Sequence, residues 1–261
     1  MHAGGAGLGA CVYDRPMPKV TAYHRPSSLS EALSLLDRPG AVVLAGGTSV
    51  NADASRTPIE AVDIQALGLA GIVSEGDAKQ LNIGAATTLQ DIADSTAVPP
   101  LLAHLARREL PSTQRTLATV GGTIATADHE SAFLAGLLIF GATVTVVGND
   151  AASDHTLPDV LAERSLMTRR IISNITIDAD GVTAFEHTER TPMDTPIVAV
   201  VGRRGSDGRV TIAASGVAAT AVVVDDVSVL SPPADFRGST QYRLHLANTH
   251  IARVRSALGA N

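Results

Sequence analysis

The chain has 261 residues, 45% hydrophobic and 18% charged, a composition that supplies a buried core and excludes wholesale disorder. A formal charge of −6 at pH 7 argues against general electrostatic binding of nucleic acid or an anionic membrane, which rests on clustered Lys and Arg. Four Phe, three Tyr and no Trp are too few for a base-stacking platform, and the single cysteine, Cys11, falls far short of the thiolate set of an iron–sulfur cluster or an all-cysteine zinc site. No metal site is therefore expected.

The opening MHAGGAGLGA lacks the basic and apolar regions of a secretory signal, so residues 1–17 are expected to form a flexible cytoplasmic N-terminus. Gly5, Gly7 and Ala10 match the spacing of a dinucleotide fingerprint, but no strand precedes them and no helical pattern follows, which sets the match aside. From Ser28 the spacing to Glu31 predicts a capping box, and Leu29, Ala32, Leu33 and Leu36 predict an amphipathic helix stopped by Gly40. AVVLA (41–45) then reads as a buried strand running into Gly46-Gly47-Thr48. LNIGA (81–85) is a further strand, and Thr88 with Asp91 repeats the capping-box spacing. Pro99 and Pro100 suit the first turn of a helix that Pro111 ends, and Thr116 to Thr126 reads as a β-prone run with Gly121-Gly122 inside it. Asp128 is the expected cap of a helix to about Phe140, and TVTVV (143–147) the returning strand. The uncharged run Ser131 to Gly148 is split by Gly141 into these two elements, so no membrane insertion is expected. Beyond Arg169 three β-rich runs (170–177, 195–202, 209–224) precede a terminal helix from about Thr240 to Leu258. The implied organisation is α+β: modules at 18–71 and 72–168, then a C-terminal α+β domain at 169–261 with a small antiparallel sheet.

Two Gly-Gly-Thr turns, at Gly46 and Gly121, lie 75 residues apart in different modules. Glycine lets backbone amides approach an anion closely, and neighbouring Thr and Ser hydroxyls add donors. No Lys is near either turn, so backbone amides, those of Gly47 and Gly121 among them, would hold the anion, with Arg115 the nearest basic candidate. A pyrophosphate bridging the modules suits the pair; two ordinary tight turns are the plainer alternative.

The motif order resembles the FAD-binding subunit or domain of the molybdenum hydroxylases. HRPSSLSEALSLL (24–36), LAGGTSV (44–50), AVDI (61–64), IGAATTLQDIA (83–93) and ATVGGTIATADHESA (118–132) are similar to that family's motifs in the same order. The resemblance implies a two-module FAD-binding domain of the molybdopterin-dehydrogenase (PCMH-like) type followed by the C-terminal domain. It assigns Ala45, Gly46, Gly47, Thr48, Ser49 and Val50 to one side of the FAD pyrophosphate and Thr119, Gly121, Gly122 and Thr123 to the other. Arg115 and Asp128 belong to the second loop, and Ile172 and Phe185 are the implied flavin-ring contacts.

This chain departs from the family pattern at Thr116, Thr123, His129 and Ala132, which stand for Asn, Asn, Pro and Asp. Each change removes about one hydrogen bond, worth roughly 0.5–1.5 kcal/mol. The implied function is a cytoplasmic FAD-dependent oxidoreductase subunit with no catalytic acid, base or nucleophile of its own. It would relay electrons from a 2Fe-2S small subunit and a molybdopterin-binding large subunit to NAD, a quinone or oxygen. The alternatives are a flavin-free scaffold in the same kind of complex, or a free-standing module for a phosphorylated ligand.

Overall fold

The computed structural model describes residues 20–260 apart from 54, 56, 76–78 and 193. The expectations for residues 1–17, including Cys11 and the Gly5-Gly7-Ala10 spacing, lie outside the described residues.

The first module carries strands β1 (Val20–His24), β2 (Ala41–Leu44) and β3 (Ile59–Asp63) in a parallel sheet of order β1-β3-β2, with helices α1 (Leu29–Leu36) and α2 (Thr48–Ala52). The Ser28 hydroxyl accepts the Glu31 N–H at 3.2 Å, as the spacing predicts. The Glu31 carboxylate reaches one residue further back than a capping box requires and accepts from Ser27 N at 2.9 Å. Ala32, Leu33 and Leu36 on the inner face of α1 pack against Val62 and Ile64.

The second module contains β4 (Ile72–Glu75), β5 (Gln80–Gly84), α3 (Leu89–Asp94), α4 (Pro100–Glu109), α5 (Ser112–Arg115), α6 (Val120–Thr126), α7 (Ala132–Ile139), β6 (Thr143–Val147), β7 (Ala152–Thr156), α8 (Leu157–Ala162) and β8 (Ile171–Asp178). The Thr88–Asp91 capping box is complete. The strands form an antiparallel sheet of order β4-β5-β8-β6-β7. β8, which the sequence groups with the C-terminal domain, is thus the middle strand of the second module's sheet. Its apolar pattern identifies a strand but carries no information about which two edges it joins.

Two local expectations are corrected. The stretch from Val120 to Thr126 is helical rather than extended, because the Thr119 hydroxyl caps the Gly122 N–H at 3.1 Å and starts α6. Ser131, not Asp128, caps α7; Asp128 instead accepts the Glu130 N–H at 2.9 Å in the preceding turn. Every residue of α7 is buried, which is why the run is uncharged. No described helix is long and apolar enough to cross a membrane.

The C-terminal domain has β9 (Val182–Thr188), β10 (Val198–Arg204), β11 (Val210–Ser215) and β12 (Val222–Val223) in an antiparallel sheet of order β12-β11-β10-β9, covered by α9 (Thr240–Ala257). β9 lies outside the three β-rich runs, and the run 209–224 is broken at Gly216, whose φ is +77°. A Cβ there would lie 2.1 Å from the Ile197 carbonyl oxygen. Fully buried Arg243 of α9 donates to the carbonyls of Ile197 (2.6 Å) and Gly216 (3.2 Å) and to the carboxylates of Glu130 (3.2 Å) and Asp235 (2.7 Å). Arg237 also binds Glu130, so two guanidiniums fasten this domain to the loop before α7.

Candidate functional site

β2 delivers Ala45-Gly46-Gly47 into α2 where the first module meets the second. Gly47 sits in the left-handed region at φ +72° and is the N-cap of α2, so no side chain caps that helix. The first amides of a helix have no partner within it. Those of Thr48, Ser49 and Val50 meet no acceptor among the described residues. Gly46 is required for space: a Cβ would lie 1.6 Å from the Leu117 carbonyl oxygen, in the segment leading to α6.

The second turn differs. Val120, Gly121 and Gly122 donate to Thr87 O (3.0 Å), Ala85 O (2.8 Å) and Thr119 Oγ1 (3.1 Å). Their amides are spent inside the protein, which corrects the expectation that the Gly121 N–H meets an anion. Gly121 is needed for close approach, since a Cβ would stand 2.8 Å from the Ala85 Cβ and 3.0 Å from its carbonyl oxygen. Ser49 Oγ and Thr126 Oγ1, 2.6 Å apart, join the two loops.

Two clefts open on either side of this junction and share Thr48, Ser49, Thr119, Gly122 and Thr126. The first, about 470 Å³, is apolar, walled by Val43, Ala45, Ile64, Met167 and Ile172 with Arg169 and Arg170 also in its lining. The second, about 460 Å³, is less apolar, with Asp53, Glu109, Asp128 and Glu130 among its lining residues. Ala45, Gly46, Gly47, Thr48, Ser49, Val50, Thr119, Gly121, Gly122 and Ile172 line the first cleft, and Thr123 and Asp128 the second.

Arg115 and Phe185 line neither. The Arg115 guanidinium donates to Gln90 Oε1 (3.1 Å), Arg107 O (2.8 Å) and Leu110 O (2.9 Å), which makes it a clasp between helices. Phe185 stacks on His187 at 4.6 Å between ring centroids and meets His104 edge-on at 5.9 Å. Ala132 also lies outside both clefts, buried at the start of α7, so an Asp placed there would face the core. His129 turns to Asp128, with Nδ1 and Oδ1 3.5 Å apart.

Residues 18–178 match the family described as the FAD binding domain in molybdopterin dehydrogenase. The chain belongs to this family. Among solved structures it is similar to carbon monoxide dehydrogenase from Hydrogenophaga pseudoflava, in a form that lacks the Mo-pyranopterin moiety of the molybdenum cofactor. The identity is 25% and the TM-score 0.82 over 92% of this chain and 98% of that one. It is also similar to quinoline 2-oxidoreductase from Pseudomonas putida 86 (23% identity, TM-score 0.81, 93% and 97% coverage). Reconstituted CO dehydrogenase from Oligotropha carboxidovorans follows at 22% identity and TM-score 0.80, with 92% and 99% coverage. At these last two identities the likeness shows the fold alone. No curated protein sequence matches the chain.

In this member of the FAD-binding family, Glu109 is a feature that the sequence did not single out. It closes α4, and its Oε2 accepts the Phe133 N–H of α7 at 3.1 Å. Burial pushes its carboxyl up to about 7, against the pull of hydrogen bonds from Ser131 and Phe133 and with a further push from Asp128. The folded state therefore holds a proton between pH 4.5 and 7 that the unfolded state has released. Stability contributed by this group is present below pH 4.5 and lost as pH rises to 7. Glu109→Gln is expected to flatten that slope and to be more stable at pH 8 by roughly 2–3 kcal/mol. Urea midpoints for both proteins between pH 5 and 8 check this, and parallel profiles would remove Glu109 as the cause.

Proposed function

We propose that this chain is the FAD-binding electron-transfer subunit of a multi-subunit molybdenum hydroxylase. The observation that carries the reading is the uncapped N-terminus of α2, whose three amides have no acceptor among the described residues at the junction of two clefts lined by the family's loops. Ala45 to Val50 would hold the diphosphate through those amides and the Thr48 and Ser49 hydroxyls. Thr119, Gly121 and Gly122 form the opposing wall, where bare glycine backbone admits a ligand closely. Thr123 and Asp128 offer polar contacts to the ribityl hydroxyls, and Ile172 an apolar surface. The position of Phe185 outside both clefts leaves ring contact to other side chains, with Thr195 the C-terminal domain's residue in the second cleft.

FAD, when bound, supplies the electron exchange; the chain supplies placement and electrostatics. A sequence with one cysteine has no thiolate set for a cluster, so the electrons arrive from a 2Fe-2S chain and, through it, from a molybdopterin chain. NAD, a quinone or oxygen takes them away. Such a subunit works in the cytoplasm beside those partners.

The supernatant of acid-denatured protein is expected to contain FAD, not FMN, at close to one per chain. Substrate-driven flavin reduction is expected only when the cluster-bearing chain is present. A folded, colourless protein that FAD cannot reconstitute would overturn the reading in favour of a scaffold. Flavin reduction by hydroxylation substrate with this chain alone would overturn the electron path.

A further inference from the structure

A cluster of titratable groups lies away from both clefts, where the C-terminal domain meets the second module. β9, an edge strand of its sheet, contacts α4 of the second module and α9 of its own domain. Phe185 in β9 stacks on His187, with ring centroids 4.6 Å apart, and takes His104 of α4 edge-on at 5.9 Å. From α9, buried His250 reaches the next residue of the strand, its Nε2 lying 2.8 Å from Thr188 Oγ1. Three imidazoles from three elements thus meet at one seam.

The carboxylates beside them are already in use. Arg108 binds Glu189, just past the end of β9, and Arg253 lies 3.4 Å from Glu186. His187 Nε2 stands 3.4 Å from the same Glu189 oxygen that Arg108 takes, and His250 Nδ1 3.8 Å from the same Glu186 oxygen that Arg253 takes. Arg107, which donates to the Ala93 carbonyl, adds a third cation near His104. The charged groups facing the rings are therefore Arg107, Arg108 and Arg253 against Glu186 and Glu189. His250 Nδ1 is buried without a hydrogen-bond partner among the described residues. A neutral ring with its proton on Nε2 tolerates that position, whereas an imidazolium would bury a charged donor beyond hydrogen-bond reach of an occupied carboxylate.

We propose that His104, His187 and His250 form a pH-operated latch, which holds β9 against α4 while the rings are neutral and loosens that edge when they are protonated. Burial keeps the His104 imidazole below the usual histidine range, and Arg108, His187 and Arg107 add to the effect. Burial does the same at His250, where Glu186 pulls the other way and Arg253 and His187 side with burial. A base depressed in the folded state contributes stability that is whole above its unfolded value of 6.5 and is lost as pH falls from there toward the folded one. The loosening stays local. α7 packs on β10 and β11, with Ala199, Val201 and Ala213 in the shared core, and Arg237 and Arg243 hold the loop before α7. The latch does not depend on the FAD reading, although α4 ends at Glu109 in the lining of the second cleft.

The test uses the full chain in a Glu109→Gln background, which removes the opposite slope of that carboxyl. Amide hydrogen exchange at about pH 7.5 and 5.5, corrected for the intrinsic rate, is expected to show protection lost on acidification in β9 and α4 and kept in β10 and β11. Urea midpoints are expected to fall below pH 6.5, the folding constant losing up to about tenfold per pH unit for each imidazole that stays neutral. His104→Gln combined with His250→Gln should flatten that fall. Arg253→Gln, which frees Glu186 for His250, should lessen the acid loss even though it removes an ion pair.

Uniform loss of protection across the C-terminal domain, or a wild-type slope in the double histidine variant, would overturn the latch. If the double variant does not fold, Arg253→Gln and Arg108→Gln decide: acid sensitivity unchanged in both would overturn it, and a lessened loss would support it.

Discussion

Gly46→Ala is expected to abolish FAD binding and to lower stability by about 3 kcal/mol or more, although only one methyl group is added. The new Cβ would stand 1.6 Å from the Leu117 carbonyl oxygen, less than half an ordinary contact distance. That carbonyl cannot retreat easily. Leu117 N and Ala118 N both bond to Gln114 O, at 3.0 and 2.8 Å, and Ala118 O accepts from Leu89 N at 2.8 Å. The first module must therefore move off the second, and the junction opens. Gly47→Ala makes the informative control. Its Cβ would meet nothing closer than 3.4 Å, so the cost is that of a left-handed φ alone, about 1–2 kcal/mol. Urea denaturation and flavin absorbance of the two variants check the contrast; equal behaviour would mean that the module contact at Leu117 is soft.

Arg243→Ala is the second large effect, an expected loss of about 3–5 kcal/mol. The side chain is fully buried and serves two carbonyls and two carboxylates at once. Its removal leaves the carbonyls of Ile197 and Gly216 without this donor and opens a cavity, while Glu130 keeps Arg237. Arg243→Lys is expected to rescue little, because one ammonium cannot reproduce a planar fork aimed at both pairs. Hydrogen bonding from Arg243 also holds the Asp235 carboxyl below the usual carboxylate range. That contribution is present above the unfolded pKa and is lost as pH falls through the folded value. The wild type should thus lose stability on acidification through this pair, and Arg243→Ala should have lost that component already. Unfolding midpoints at neutral and acidic pH measure both.

Much of the site was legible because its motifs are local. The Ser28 and Thr88 caps, the first glycine turn and the strand entering Gly46 follow from spacing within a few residues, and the structure has them. The second loop misled because Thr and Val favour strands. Only the Thr119 hydroxyl and the contacts with Thr87 and Ala85 make it a helix, and those contacts lie over 30 residues away. Glu109 was missed for the same reason. In sequence it looks like a charged helix end. Its character comes from α7 meeting α4. The burial of Ala132 is likewise a property of α7 packing and not of the loop motif.

The central place of β8 also sets the order in which the molecule can be assembled. β5 bonds to β8 from Gln80↔Asp178 to Gly84↔Asn174, and β6 bonds to the opposite edge of the same strand. During synthesis both glycine loops leave the ribosome well before residue 171, yet the sheet that fixes the second loop has a gap where β8 belongs. Ala85, whose carbonyl holds Gly121, itself donates to Ser173 O at 3.0 Å. The nascent chain up to residue 168 consequently carries two open strand edges and an unfinished nucleotide cleft. Loading of the cofactor is therefore expected to be a late event, one that waits on a strand encoded after every residue of the two glycine loops.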